Sequence, residues 1–171
     1  MEFRTGIGYD LHRFAKGRAL VLGGVPIEHD RGLLGHSDGD IVLHALCDAL
    51  LGAAALGDIG ELFPDTDPAH KNADSRRFVT RVLERIRSAG WRVGNVDLII
   101  HAETPKLTPY KDRIRQTIAD LLDIPISAVG LKATTNEGLD AIGRGEAMAC
   151  WATALLEAAG AADGRPQTGT V

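Results

Sequence analysis

The 171 residues are 44% hydrophobic and 25% charged, a balance typical of one soluble globular domain. The 19 basic and 23 acidic side chains give a net charge of −4, so the charge does not indicate nucleic acid or an anionic membrane as a partner. The two cysteines, Cys47 and Cys150, are too few for a disulfide framework and too far apart for a cysteine metal motif. No apolar run approaches the roughly 20 residues that span a bilayer, and the first residues do not resemble a signal peptide, so we predict a cytoplasmic protein.

Residues 2–9 alternate between two kinds of side chain, which predicts a strand. If the extended conformation continues, Asp10 and His12 project to the same side, because side chains on a strand repeat every two residues. Two ligands of one metal ion need this geometry. The alternative is a polar strand end that forms turn hydrogen bonds.

Two short apolar runs, 19–22 and 25–27, flank a Gly-Gly pair and predict a β-hairpin. The stretch 35–40, Gly-His-Ser-Asp-Gly-Asp, then precedes an apolar periodic segment that extends to Leu56. This pattern predicts a helix whose N-cap is Ser37 or Asp38.

His44 lies near the start of this predicted helix, which ends at about Leu56, with Asp40 one turn before it and Asp48 one turn after it. Either carboxylate is a candidate hydrogen-bond partner that would orient the imidazole of a metal ligand. We hypothesise that Asp10, His12 and His44 hold one metal ion, and that the loop before His44 places a phosphorylated substrate against it. A histidine with a purely structural role is the alternative.

The segment 57–68 is rich in Gly, Pro and Asp, yet it contains the apolar residues Ile59, Leu62 and Phe63. Such residues in a polar loop indicate either the wall or lid of a pocket or a loop pinned to the core. The next segment, 75–89, has an apolar stripe at helical spacing and predicts an amphipathic helix with a solvated arginine face.

Two further strands are predicted at 96–102 and 129–135, and both end in polar residues. Strand ends of this kind are favoured ligand sites in α/β sheets. The second strand leads into Asn136-Glu137-Gly138, so hydroxyl, amide and carboxylate groups suited to phosphate and a hard cation lie together. Arg144, between two glycines, offers a guanidinium that an anion can approach closely. A threonine-rich strand edge without a ligand is the alternative.

Seven segments carry a combined pattern: Asp10-Leu11-His12, residues 32–40 (GLLGHSDGD), Leu43-His44-Ala45, Gly57-Asp58-Ile59-Gly60, residues 62–67 (LFPDTD), residues 132–135 (KATT) and Gly143-Arg144-Gly145-Glu146. In this order and spacing they closely resemble 2-C-methyl-D-erythritol 2,4-cyclodiphosphate synthase, an enzyme family of the non-mevalonate isoprenoid pathway. The resemblance extends from the first strand to about Ala158.

The resemblance implies an α+β fold: a single-domain subunit with a mainly four-stranded sheet packed on helices. It also implies a homotrimer whose sheets face the threefold axis and whose active sites lie between subunits. The segment 147–156 has alanines and leucines that favour a helix by propensity, but it is a strand in the family, and we predict a strand. We expect a synthase domain over 1–159 and a tail, 160–171, whose composition is typical of disorder.

The resemblance further implies the reaction. The substrate is 4-diphosphocytidyl-2-C-methyl-D-erythritol 2-phosphate, whose 2-phosphate attacks the β-phosphorus of the same molecule and releases CMP. Asp10, His12 and His44 match the ligands of one Zn²⁺ per subunit, which leaves a fourth place for a phosphate oxygen. Glu137 matches a ligand of Mg²⁺ or Mn²⁺ that bridges the substrate diphosphate.

The resemblance assigns other residues to the substrate. Those beside the reacting phosphates, which we take as catalytic, are His36, Ser37 and Thr135. Those that match substrate contacts are Asp58 and Gly60 for the ribose, Ile59, Phe63 and Asp65 for methylerythritol, Thr134 and Thr135 for phosphate, and Ala102, Lys106 and Leu107 for the cytosine pocket of the neighbouring chain. Arg144 matches a residue of the trimer's central cavity, where some members hold an isoprenoid diphosphate. Since Ala141 stands where a phenylalanine is common, we do not expect that ligand here.

Two alternatives to the synthase remain open from the residues alone. A metal-dependent phosphohydrolase would use the same His/Asp site with water as its nucleophile. A structural zinc module would use the metal only to join a strand to a helix, although three ligands without a cysteine argue against it.

Overall fold

A computed structural model describes residues 2–159. The strands are β1 (Phe3–Lys16), β2 (Leu20–Leu22), β3 (Val25–Ile27), β4 (Arg31–Leu33), β5 (Trp91–His101), β6 (Val129–Thr134) and β7 (Ala147–Ala158). The helices are α1 (Ile41–Ala54), α2 (Ile59–Leu62), α3 (Arg76–Ser88), α4 (Lys111–Leu122) and α5 (Asp140–Gly143). The predicted tail, 160–171, lies outside the described residues, and the domain boundary at 159 stays a prediction.

The main sheet has the strand order β4-β1-β7-β5-β6. β7 is its centre and pairs antiparallel with β1 on one side and β5 on the other, whereas β5 and β6 are parallel. The helices α1, α3 and α4 cover one face of this sheet and enclose the hydrophobic core. The predicted α+β domain is therefore confirmed. Its four predicted strands are present, and the short strand β4 adds a fifth at the edge.

The last strand shows how tertiary pairing overrides local propensity. Residues Ala147–Ala158 contain many good helix formers, yet the segment is flanked by two long strands that use its backbone donors and acceptors. A buried strand between two partners gains a full set of ladder hydrogen bonds. The prediction of a strand here is confirmed.

β1 and α1 approach each other closely through two glycines. A Cβ atom at Gly6 would lie 2.1 Å from the carbonyl oxygen of Ala49, and one at Gly8 would lie 2.0 Å from that of Ala45. No side chain larger than hydrogen fits at either position unless the helix moves away. These glycines therefore set the distance between the strand that carries Asp10 and the helix that carries His44.

The predicted N-cap of α1 was wrong. The cap is Asp40, whose carboxylate accepts from the backbone N–H groups of Val42 and Leu43. The same carboxylate also accepts from Gly23 and Gly24 in the turn of the β2–β3 hairpin, at 2.9 and 2.6 Å. Asp40 is fully buried, so it joins the hairpin to the helix start. The sequence pattern predicts where the helix begins, but it does not predict the contact of Asp40 with the distant hairpin.

The sheet face opposite the helices carries exposed apolar side chains. In β1 the glycines face the core and the large side chains face outward, so that Ile7 is 63% exposed and Tyr9 is 42% exposed. Tyr9 lies beside Trp151 of β7, with ring centroids 4.4 Å apart. Phe3 and Leu11 extend the same row. We call these five residues the apolar sheet face; contiguous exposed apolar surface of this kind usually marks an interaction site.

Within residues 2–159, no helix combines the length and the apolar character that crossing a membrane requires. The cytoplasmic location stays a prediction.

Candidate metal centre and substrate pocket

Three side chains from two elements converge at one end of the β1–α1 contact. Asp10 and His12 leave β1 on the same side, as predicted, and His44 projects from the first turns of α1. A ligand atom of each of the three lies within 4.8 Å of the other two. We call Asp10, His12 and His44 the metal triad.

The geometry of the three donor atoms in the triad is suited to a shared cation. Asp10 Oδ2 lies 2.9 Å from His44 Nδ1 and 3.1 Å from His12 Nε2. The second pair lacks hydrogen-bond geometry, and the buried His12 Nε2 has no hydrogen-bond partner among the described residues. Buried polar atoms are nearly always partnered, so an orphan nitrogen directed at a carboxylate and a second imidazole indicates an absent ligand. Two nitrogens and one oxygen suit zinc and leave a fourth position open.

The electrostatics of the triad favour an ionised carboxylate. Burial works to raise the pKa of Asp10, but the hydrogen bond of His44 and the close imidazoles of both histidines outweigh it, and that pKa lies well below its usual value. Burial likewise works to lower the pKa of His44, and the hydrogen bond and charge of Asp10 raise it above its ordinary value. The carboxylate therefore carries its negative charge at neutral pH, as a metal ligand must.

Neither of the two predicted orienting partners contacts the His44 ring. Asp40 caps α1, and Asp48 accepts from the backbone N–H of Ile59 at 2.8 Å. His44 Nε2 instead lies 2.9 Å from Ser75 Oγ and 3.0 Å from Ser37 Oγ. That prediction was wrong because one helical turn of spacing places a side chain beside its neighbour, while the ring here points off the helix toward the 35–40 loop.

A cavity of about 270 Å³ opens beside the triad. Its lining combines polar residues from four segments with an apolar wall. The lining residues are Asp10, His12, His36, Ser37, His44, Asp48, Ile59, Gly60, Phe63, Asp65, His70 and Phe78. Nine of the sequence-predicted site residues thus lie around one space. A concave site with an apolar wall and a few convergent polar groups is the usual form of a small-molecule pocket.

The wall of this cavity is the segment that follows α1. Asp58 is the N-cap of α2, and its carboxylate accepts from Glu61 N–H at 2.8 Å, so its side chain braces the segment. Phe63 stacks on Phe78 of α3 with centroids 4.4 Å apart, and His70 meets both rings edge-on. The two interpretations of the 57–68 loop are therefore both correct in part, because the residues that pin it to the core also form the pocket wall.

Most of the other predicted site residues lie at the far ends of β5 and β6. We call residues 102–107 and 134–137 the strand-end cluster; among the described residues, none of these lines the cavity beside the triad. Thr135 Oγ1 donates to Glu137 Oε1 at 2.8 Å, and the Glu103 carboxylate accepts from Asn136 N–H at 2.9 Å. Glu137 has a φ of 52°, a left-handed conformation that is strained for a residue other than glycine.

Four of the predicted ligand-contact residues lie in different surroundings. Leu107 is 4% exposed and belongs to the hydrophobic core. Ala102 continues the sheet through a backbone hydrogen bond to Thr134, and Lys106 is exposed. Arg144 forms a two-pronged ion pair with Glu146, at 2.9 and 3.0 Å, so its guanidinium already has an anionic partner in this chain.

Ser75, His70 and Phe78 are site residues that the sequence did not reveal. From the sequence, Ser75 is interpreted only as the start of the predicted helix 75–89, and Phe78 only as part of its apolar stripe. Both interpretations are typical of such residues, and no local pattern distinguishes them from their neighbours. Only the fold brings α3 against the 35–40 loop.

The fold and the triad define an α+β enzyme-like domain with an open metal site beside an apolar pocket. The profile of the YgbB family matches residues 3–157. A 2-C-methyl-D-erythritol 2,4-cyclodiphosphate synthase of Azotobacter vinelandii is 57% identical over 153 residues, which is 90% of this chain and 98% of that protein. The chain belongs to the YgbB family of 2-C-methyl-D-erythritol 2,4-cyclodiphosphate synthases.

Solved structures agree with this assignment. The bifunctional IspDF of Campylobacter jejuni has a TM-score of 0.89 and 44% identity over 92% of this chain, which spans 42% of that protein. The IspF of Plasmodium falciparum in complex with CDP has a TM-score of 0.81 and 35% identity, and the match covers 92% of this chain and 97% of that one.

Proposed function

We propose that this chain converts 4-diphosphocytidyl-2-C-methyl-D-erythritol 2-phosphate to 2-C-methyl-D-erythritol 2,4-cyclodiphosphate and CMP, as a phosphorus–oxygen lyase of the non-mevalonate pathway. An oxygen of the 2-phosphate forms the new bond to the β-phosphorus. The bond from that phosphorus to the oxygen of the α-phosphate breaks, and CMP leaves with both electrons. The single observation that carries the proposal is the metal triad beside an apolar cavity, in a chain of this family.

The triad is proposed to hold one Zn²⁺, which when bound would neutralise phosphate charge as a Lewis acid. The chain's own contribution is a rigid donor set. Asp10 lies in a long strand paired along its length, and His44 lies on a helix held against that strand by Gly6 and Gly8. Such fixed donors position a phosphate without reorganisation during the reaction.

His36 and Ser37 are proposed to face the β-phosphate, since both line the cavity next to the triad. Ile59, Phe63 and Asp65 are proposed to surround the methylerythritol unit, and Asp58 and Gly60 to contact the ribose. The apolar wall excludes water from the reacting phosphates, which favours intramolecular attack over hydrolysis. No nucleophilic side chain is required, because the substrate supplies the attacking oxygen.

The strand-end cluster is proposed to supply the other half of the site. Glu137 would hold Mg²⁺ or Mn²⁺ on the diphosphate, and Thr134 and Thr135 would contact phosphate oxygens. Residues 102–107 would surround the cytosine; the CDP bound to the Plasmodium relative supports a cytidine site in this family. Since this cluster does not line the cavity of its own chain, the two halves are proposed to meet between neighbouring copies.

A homotrimer is proposed to bring the metal triad of one chain to the strand-end cluster of its neighbour. The apolar sheet face supports this assembly, because Phe3, Ile7 and Trp151 would be buried where three sheets meet. Sedimentation equilibrium should give three times the chain mass of 18.2 kDa. Trp151→Glu should dissociate the trimer, whereas Arg81→Glu on the helix side should not. A wild-type monomer at micromolar concentration would contradict the assembly.

Product analysis tests the activity itself. The full chain, loaded with zinc and given Mg²⁺ and the cytidyl substrate, should release CMP and form a cyclic diphosphate in equal amounts, as followed by phosphorus NMR. A linear phosphate product with CMP would instead indicate a phosphohydrolase that uses the same triad. Substrate that remains intact would refute both.

A further inference from the structure

The buried hydroxyl of Ser75 lies between the metal triad and a carboxylate outside it. We propose that Ser75, held by Asp38, is a positioning residue that fixes the ring orientation and the proton of His44, so that His44 Nδ1 is the atom offered to the metal. The inference rests on the metal site of the proposed function, and it concerns a residue that lines no part of the substrate cavity.

The contacts form a chain of three groups. His44 Nε2 lies 2.9 Å from Ser75 Oγ, and Ser75 Oγ donates a short hydrogen bond to Asp38 Oδ1. Ser75 is 0% exposed, so water does not compete for its hydroxyl. Ser37 Oγ, 3.0 Å from the same nitrogen, gives that proton a second acceptor.

The chemistry of these groups sets the direction of each hydrogen bond. A carboxylate only accepts, so the single proton of Ser75 goes to Asp38, and the oxygen then presents lone pairs to His44. His44 Nε2 must therefore donate and carry the proton. Nδ1 is then the nitrogen left for a metal. It donates to Asp10 Oδ2 at 2.9 Å, and a bound metal ion would take the place of that proton. A metal-bound histidine generally donates its other N–H to such a partner, which fixes its tautomer and orientation.

Asp38 is itself held firmly enough to act as an anchor. Its Oδ2 accepts from Ser75 N–H at 3.0 Å, and its Oδ1 accepts from Asp40 N–H at 3.2 Å. Its own backbone N–H donates to Ala73 O at 3.0 Å. The loop before α1 and the turn before α3 are therefore locked together around the His44 ring.

Ser75 does not serve the role that its position in sequence indicates. It occupies the N-cap position of α3, yet its side chain makes no capping hydrogen bond. The neighbouring Asp74 accepts from Arg76 N–H at 2.9 Å instead. A serine at this position normally uses its hydroxyl to cap the helix. Its diversion to His44 and Asp38 indicates that the hydroxyl serves the site rather than the helix.

Metal affinity tests the proposal without substrate, so its outcome is independent of the proposed reaction. The full-length Ser75→Ala protein should bind Zn²⁺ roughly 10- to 100-fold more weakly than wild type in chelator competition. Ser88→Ala is the matched control, because Ser88 lies on the same helix and bonds only Glu84 O. It should leave the zinc affinity unchanged. An unchanged affinity for Ser75→Ala would overturn the proposal.

Two further readouts separate positioning from a purely structural role. Nitrogen-15 NMR of the zinc-loaded wild type should show His44 protonated at Nε2 and metal-bound at Nδ1; the opposite tautomer would overturn the proposal without any variant. Ser75→Thr, which keeps a hydroxyl, should recover most of the affinity lost in Ser75→Ala. If Ser75→Ala lost zinc affinity but kept the wild-type tautomer of His44 and the wild-type exchange rate of its Nε2–H, the serine would only support the fold.

Discussion

The metal triad and the strand-end cluster differ in how much of each is completed within one chain. Asp10 and His44 are largely buried, and they are oriented by their contact with each other and by the contact of His44 with Ser75. Thr134, Thr135 and Glu137 are exposed, and their side chains bond mainly to one another. The triad is preorganised by packing, whereas the strand-end cluster is a set of polar groups at the end of a parallel pair of strands.

The difference indicates that the two regions have separate roles. Metal ligands must be fixed before the ion arrives, and the close contact of β1 and α1 contributes that rigidity. Groups that bind a flexible nucleotide can remain open until substrate and a neighbouring chain cover them. We therefore expect substitutions in the triad to abolish metal binding, and substitutions in the strand-end cluster to affect substrate and magnesium only.

The largest effect is expected from His12→Ala. Loss of one of three ligands should remove most of the bound zinc and lower turnover by about 10³-fold, which is about 4 kcal/mol of transition-state stabilisation. Metal analysis and CMP release on the same sample measure both. His101→Ala is the control, since that imidazole bonds Asn136 of the strand-end cluster. It should keep its zinc; equal zinc loss in both variants would remove the distinction between the two regions.

A smaller effect is expected from Gly8→Ala. The added Cβ would lie 2.0 Å from Ala45 O, so α1 must shift, at a cost of about 3 kcal/mol in the free energy of unfolding. The shift also moves His44 away from Asp10, so zinc affinity should fall. Urea denaturation and chelator competition measure the two changes.

Gly52→Ala is the matched control for that variant. Gly52 lies on α1, the helix that packs against Gly8, and its added Cβ would meet only Ile7 O, at 3.9 Å. The change should stabilise the chain by up to about 1 kcal/mol, because alanine is the better helix former. If both variants were equally stable, the close approach of β1 and α1 would not position the triad.

The smallest effect is expected from Glu137→Ala. Zinc content should be unchanged, while the Mg²⁺ concentration needed for half-maximal turnover should rise roughly 10-fold, since one carboxylate ligand is lost. Magnesium titration of CMP release measures the change. Loss of zinc from this variant would show that Glu137 contributes to the zinc site, and it would contradict the distinction between the metal triad and the strand-end cluster.

The sequence was most informative where the side-chain period was regular. The two-residue period of β1 predicted that Asp10 and His12 share a side, and the structure confirms it. The amphipathic stripe predicted α3. Propensity alone did not predict β7, because its alanines and leucines suit both states and only the pairing with β1 and β5 decides.

The sequence was least informative about contacts between distant segments. Asp40 bonds a hairpin 16 and 17 residues away, and Ser75 reaches a histidine 31 residues away. Each residue has an ordinary local interpretation as a helix cap, and Asp40 fulfils that role as well. Short α5 was also missed, since four residues carry no periodic signal.

Subunit complementation tests the central claim most directly, namely that the triad of one chain works with the strand-end cluster of another. His12→Ala and Glu137→Ala chains would be co-expressed with different tags, purified as mixed trimers, and assayed for CMP release at limiting Mg²⁺. If the halves meet between chains, random mixing leaves about a quarter of the sites with both halves intact, and turnover should reach about a quarter of the wild-type rate. A rate no higher than the average of the two parent variants would contradict the account.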